Sequence, residues 1–145
     1  MCAVRNTPLW SALLRERGLK STPARTGILD VLNRVQKPLT VEQIGEKLKK
    51  LSLDTVTLYR AVKQLTDAGL LRHVDFHHGH AHYELKDVKS DHHHIVCTEC
   101  HTVEDFTGCD FSDLAKHALA QTKSFRTVVE HSVELFGICK KCEKK

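Results

Sequence analysis

Two Cys-x-x-Cys pairs, Cys97–Cys100 and Cys139–Cys142, constrain this chain more than any other feature. Two intervening residues let both thiolates of a pair reach one ion from a tight turn. Two such turns complete the tetrahedral sulfur site that a structural zinc prefers. Residues 101–138 lie between the pairs, so one ion would tie a whole subdomain together rather than a single finger. Three histidines, His92, His93 and His94, stand just before the first pair. Imidazoles beside a closed sulfur site suggest a second, more exchangeable metal, and the combination points to metal sensing.

Six cysteines leave other readings open. In a small secreted protein they would form disulfides. The N-terminus has one early Arg and a short apolar stretch with no clear cleavage site, so no signal peptide is expected. No stretch approaches the roughly 20 apolar residues of a membrane span. The expectation is a cytoplasmic chain in a reducing compartment, where paired Cys-x-x-Cys reads as metal. A redox dithiol would want a strand-to-helix setting in an α/β fold, which the pattern lacks. Cys2 and Cys109 have no partner at ligand spacing and read as a terminal thiol and an ordinary small residue.

Charge separates the halves. Residues 1–72 hold 13 Lys and Arg against 6 Asp and Glu; residues 73–145 hold 9 against 12. All 11 histidines fall at or after His73. A basic half poor in metal ligands precedes an acidic half rich in them. This suits a polyanion-binding module followed by a metal-binding one, although the charge alone fits a solvated face as well.

In the first half, Thr7-Pro8 opens a helix with Leu9, Ala12, Leu13 and Trp10 on its apolar side, ended by Gly18. Thr22-Pro23 opens a second, through Ile28, Leu29, Val31, Leu32 and Val35, stopped by Pro38. Thr40-x-x-Gln43 is a capping-box start for a third, with Val41, Ile44 and Leu48. Asp54 caps a fourth, with Val56, Tyr59, Val62 and Leu65 read as its apolar face and Gly69 as its end. Two extended runs, 70–76 and 81–85, flank a turn at Gly79. Helices followed by such a hairpin make a winged helix, whose fourth helix is the candidate for the major groove. Thr55, Thr57, Tyr59, Arg60 and Lys63 offer hydroxyl, aromatic and cationic groups there, and Arg15, Lys20 and Arg25 could hold the phosphate backbone.

In the second half, residues 94–97 and 102–106 read as short strands around the first cysteine turn. A helix is expected over 111–123, with Asp110 or Ser112 near its start and Leu114 and Leu119 facing in. Residues 126–138 alternate with period two, which predicts a strand. So small a unit would draw much of its stability from zinc. Small sheets and winged helices commonly pair across a two-fold axis, so a homodimer is expected. The fold class is α+β: a winged-helix DNA-binding domain over 1–85, then a small α/β dimerisation and metal-binding domain over 86–145.

Several stretches together resemble the ferric uptake regulator superfamily of metal-dependent transcription factors. They are Thr22-Pro23-Ala24-Arg25, the run from Thr55 to Val62, Asp67-Ala68-Gly69-Leu70, the run from Asp91 to Cys100, Glu130-His131-Ser132, and Phe136 to Cys142. The resemblance spans nearly the whole chain, in order and at the family's spacing. It implies a homodimeric repressor of operator DNA, in which metal closes the dimer so that both recognition helices meet successive major grooves. It also implies structural zinc on the four paired cysteines and a sensory site on Glu84, His92, His94 and Asp105. The family's winged-helix histidine has no counterpart, since Pro38 and Leu39 stand in its place. His73, His80 and His82 are the candidate substitutes. A further site in some members implies Asp91, His93 and His131 as ligands, with Asp110 or Asp113.

Glu84, Asp105 and two histidines suit iron(II) or manganese, while added wing histidines would favour zinc or nickel. Iron and zinc are the leading expectations for the regulatory metal. A peroxide-sensing member, a zinc- or nickel-specific member, and a metal-binding module without DNA activity are the alternatives. An enzyme is disfavoured, because neither a His-Glu-x-x-His helix nor a Gly-x-Ser-x-Gly elbow occurs.

Overall fold

The computed structural model describes residues 7–86 and 92–144. Cys2, Asp91 and the expected hinge segment lie outside the described residues. The chain divides into two compact units, Met1–Val88 and Lys89–Lys145.

The first unit carries helices α1 (Thr7–Glu16), α2 (Pro23–Val35), α3 (Val41–Lys47) and α4 (Thr55–Asp67). Side-chain oxygens at their starts take up backbone N–H groups that the first turn leaves open. Thr22 accepts from the Arg25 amide. Thr40 and Gln43 form both halves of a capping box. Asp54 accepts from the Thr57 amide at 2.9 Å. Gly69, at φ +72°, turns α4 into a hairpin of β1 (Leu71–Asp75) and β2 (Ala81–Leu85). Arg72 lies opposite Glu84, and Val74 opposite His82. Leu39 and Tyr83 exchange backbone hydrogen bonds of 3.0 and 2.8 Å, tying the hairpin to the α2–α3 connection. One apolar cluster from Trp10 to Leu71 fills the interior. A Cβ at Gly45 would lie 2.9 Å from Leu58 Cδ1, so α3 and α4 cross closely there and a side chain would have to displace the Leu58 methyl. This is a winged helix.

Two helical faces differ from expectation. In α1, Trp10 and Leu14 are buried and Leu9 is exposed. In α4, the core face is Leu58, Ala61, Val62 and Leu65, while Val56 and Tyr59 are 61 % and 48 % exposed. At about 100° per residue the buried four form one narrow stripe, and Val56 falls on the opposite side.

The second unit is a three-stranded sheet in the order β4-β3-β5. Its centre is β3 (His93–Cys97). It is antiparallel to β4 (Val103–Phe106) and parallel to β5 (Glu134–Gly137). Helix α5 (Phe111–Gln121) starts on an Asp110 cap, and a single turn, α6 (Lys140–Glu143), carries the last cysteine. The strand expected over 126–138 pairs only across Glu134–Gly137. Leu114, expected to face inward, is 51 % exposed. Among the described residues, no strand pairs the residues before β5. Among the described residues, the unit buries only His93, His94, Val96 and Cys97.

Candidate metal centres and DNA-binding face

Cys97 ends β3, Cys100 closes the turn toward β4, Cys139 begins α6 and Cys142 lies within it. The parallel pairing of β3 with β5 brings the two turns together, with Cys97 opposite Gly137. All four sulfurs lie within 4.8 Å of one another. Cys100 Sγ and Cys139 Sγ are 3.6 Å apart. Tetrahedral zinc–sulfur bonds of about 2.3 Å require sulfurs about 3.8 Å apart, so the donors fit zinc. The Cys139 amide donates to Cys97 Sγ at 3.3 Å. Backbone N–H groups of Cys100 and Cys139 hold the Cys97 thiol down to about 6. The hydroxyl of Thr102 lowers Cys100. Cys142 is pushed up to about 12, first by the Cys139 sulfur and then by burial. A bound cation would displace the protons of the thiols.

The β3–β4 register sets His94 directly opposite Asp105, with Nε2 3.7 Å from the carboxylate. His92 lies two residues before, on the same face, and its ring meets that of His94 edge-on at 5.1 Å. Three of the four expected sensory residues are thus gathered in this unit. Glu84 stands in the first unit, buried near the end of β2, where Arg72 Nε donates to its carboxylate at 2.8 Å. Arg72 Nη2 donates to the same oxygen, so one guanidinium orients it.

Two of the candidate wing histidines, His80 and His82, gather around His78, with ring centroids 6.0 and 4.9 Å from it. His73 lies opposite Tyr83, on the other face of the hairpin from Glu84 and His82. His82 is buried against Phe76, with ring centroids 4.9 Å apart. Its Nδ1 donates to the His80 carbonyl at 3.0 Å, and burial depresses its basicity. His80 is exposed in the turn.

His93 and His131 do meet, with Nε2 atoms 3.2 Å apart. Cys109 joins them, its sulfur within 4.8 Å of both ring nitrogens. Ligand spacing along the sequence gave no hint of this residue. The only signal was its place between Gly108, at φ +95°, and the α5 cap Asp110.

On α4, Thr55, Tyr59, Arg60 and Lys63 are exposed, together with Val56. Among the described residues, Arg60 makes no ion pair or hydrogen bond, so its guanidinium is available. Lys63 pairs with Asp67 at 2.7 Å. The Tyr59 hydroxyl donates to Glu42 at 2.6 Å, and that of Thr57 to Asp54 at 2.6 Å. Arg25 donates to the Lys20 carbonyl at 2.6 Å and to Gln64 at 2.7 Å, which fastens α2 to α4. Val56 was missed as a surface residue; an exposed methyl pair there suits contact with a thymine methyl.

Over residues 16–136 the chain matches the ferric uptake regulator family. The chain belongs to that family. It is similar to the ferric uptake regulation protein of Neisseria gonorrhoeae, at 33 % identity over 138 residues, covering 92 % of this chain and 93 % of that one. It is similar in structure to the Vibrio cholerae ferric uptake regulator, at 30 % identity and a TM-score of 0.73 over 89 % of this chain and 98 % of that one. The Pseudomonas aeruginosa ferric uptake regulator with manganese is also similar, at 26 % identity and a TM-score of 0.73 over 91 % and 98 %. This member is therefore a metal-responsive transcription regulator and not an enzyme. Other solved structures with this fold include a zinc-bound manganese uptake regulator and a zinc uptake regulator complexed with zinc and DNA. Among the described residues of this chain, no helix is long and apolar enough to cross a membrane.

Proposed function

We propose that this chain is a repressor that binds double-stranded operator DNA as a homodimer when its regulatory metal is loaded. The observation that carries this reading is the presence of two unlike donor sets in the second unit. Four sulfurs form a closed set suited to permanently held zinc. His92, His94 and Asp105 form a mixed nitrogen–oxygen set suited to an exchangeable ion, iron(II) or zinc first, with manganese and nickel as further candidates. Glu84 is the fourth ligand in this reading. Arg72 positions its carboxylate in the absence of metal and yields it on binding. The domain limits are those read from the sequence, 1–85 and 86–145.

The remaining roles follow from chemistry. Thr55, Thr57, Tyr59, Arg60 and Lys63 face the major groove, and Arg60 reads a base. Arg25 acts by holding α2 on α4. The exposed apolar residues Leu114, Phe125 and Val129 support a two-fold interface between copies of the second unit. His92→Ala should retain the sulfur-held zinc and lose metal-dependent operator binding. A variant that still responds to metal would overturn the assignment. Arg60→Ala should weaken operator binding by about 1–3 kcal/mol, with less effect on unrelated duplexes.

A further inference from the structure

We infer that the cleft between α4 and the wing seats one phosphate of the operator backbone, with His73 as its proton-dependent contact; this rests on the repressor reading above. The cleft holds about 500 Å³. Tyr59, Arg60, Lys63 and Asp67 line it from α4, His73 and Tyr83 from the hairpin. With α4 in the major groove, the wall beside the helix is sugar-phosphate backbone, and donors there meet phosphate oxygens.

Strand alternation sends His73 to this cleft. It stands opposite Tyr83 on the face of the hairpin away from Glu84, so it lines the helix side of the wing rather than approaching the sensory carboxylate. The Tyr83 ring bounds it on one side, with centroids 5.5 Å apart and planes inclined by 59°. The other charges of the cleft leave a definite role for its proton. Lys63 is neutralised by Asp67 at 2.7 Å. Arg60 is taken by a base edge in the reading above. Among the residues lining the cleft, the cation left to meet a phosphate is therefore a protonated His73. On its far side Asp75 has a carboxyl held below the usual carboxylate range, first by the His77 amide, and His77 and His80 stand beyond it. The Asp75 charge favours an imidazolium beside it. An imidazole gains and loses its proton near neutral pH, so this contact ties operator affinity to pH. The phosphate is held while the ring is protonated and released as pH rises.

The test is the affinity for a duplex selected from a random pool, and its salt dependence, between about pH 6 and about pH 8. The full-length protein is loaded with whichever of iron(II), zinc, manganese or nickel gives the tightest binding, and its metal content is checked at each pH. The unsubstituted protein should lose about tenfold in affinity as pH rises, because a charge-assisted hydrogen bond is lost. His73 is exposed, so its variants keep the core intact. His73→Ala should bind about tenfold more weakly at the acidic end, on selected and unrelated duplexes alike, and should match the unsubstituted protein at the alkaline end. Its salt slope at the acidic end should fall by about one phosphate contact. His73→Lys should bind tightly across the range and lose most of the pH dependence. A His73→Ala variant with unchanged affinity, pH profile and salt slope would overturn the contact, and so would a His73→Lys variant as weak as His73→Ala. Either result on protein that still binds DNA leaves the repressor reading standing. Protein that binds no duplex with any of the metals contradicts that reading, and this contact with it.

Discussion

The two units solve the problem of stability in opposite ways. The winged helix buries a continuous apolar cluster contributed by all four helices and the start of the wing. The second unit buries Val96 and Cys97 beside two histidines, and leaves Leu114, Phe125 and Val129 in solvent. Its buried positions are occupied largely by metal donors. Apolar burial at about 25 cal/mol per Å² sustains the first unit on its own. On the proposed reading, the second takes its order from bound ions and from a partner surface. On that reading, regulation falls in the unit whose structure depends on what it binds, while the winged helix keeps its own apolar core.

The comparison breaks most readily at the sulfurs. Cys97→Ser, or stripping the zinc, should unfold the second unit and dissociate the dimer. Structural zinc contributes about 10–16 kcal/mol in small zinc domains, so no side-chain packing in this unit can substitute. Amide exchange should show protection lost after residue 92 and kept in α2 and α4; equal loss in both would erase the contrast. Ile28→Ala is the converse experiment. It should cost the winged helix about 2–5 kcal/mol, read as a lowered melting transition, with the zinc content unchanged. Val129→Asp should weaken the dimer by about 2 kcal/mol, seen as a shift in the concentration dependence of its mass in solution, with little change in the unit's own zinc. The smallest effect is local. Thr40→Ala should cost about 1 kcal/mol by removing the α3 cap, and should leave metal binding untouched.

Legibility in the sequence followed the range of the forces involved. The caps at Thr22, Thr40, Asp54 and Asp110 are local hydrogen bonds, and each was readable from a few residues. The paired cysteines were readable because their spacing is itself the geometry of a turn. The face of α4 was misread because Val56 and Tyr59 fit a helical repeat as well as Leu58 and Ala61 do, and only packing against α3 decides between them. The alternation over 126–138 records which residues want burial, but not whether the partner strand belongs to the same chain. Cys109 was invisible because its partners His93 and His131 are distant in sequence and meet only through β3, α5 and the segment before β5.

The most direct measurement is metal content paired with DNA binding. Purified protein, as isolated and after mild chelation, is assayed for zinc and then titrated with iron(II), zinc, manganese and nickel against a duplex selected from a random pool. The account predicts that the sulfur-held zinc survives chelation and that one added metal switches on sequence-specific binding, which weakens steeply with salt as phosphate contacts require. Binding of equal strength with and without every metal, on protein that has kept its zinc, would contradict it.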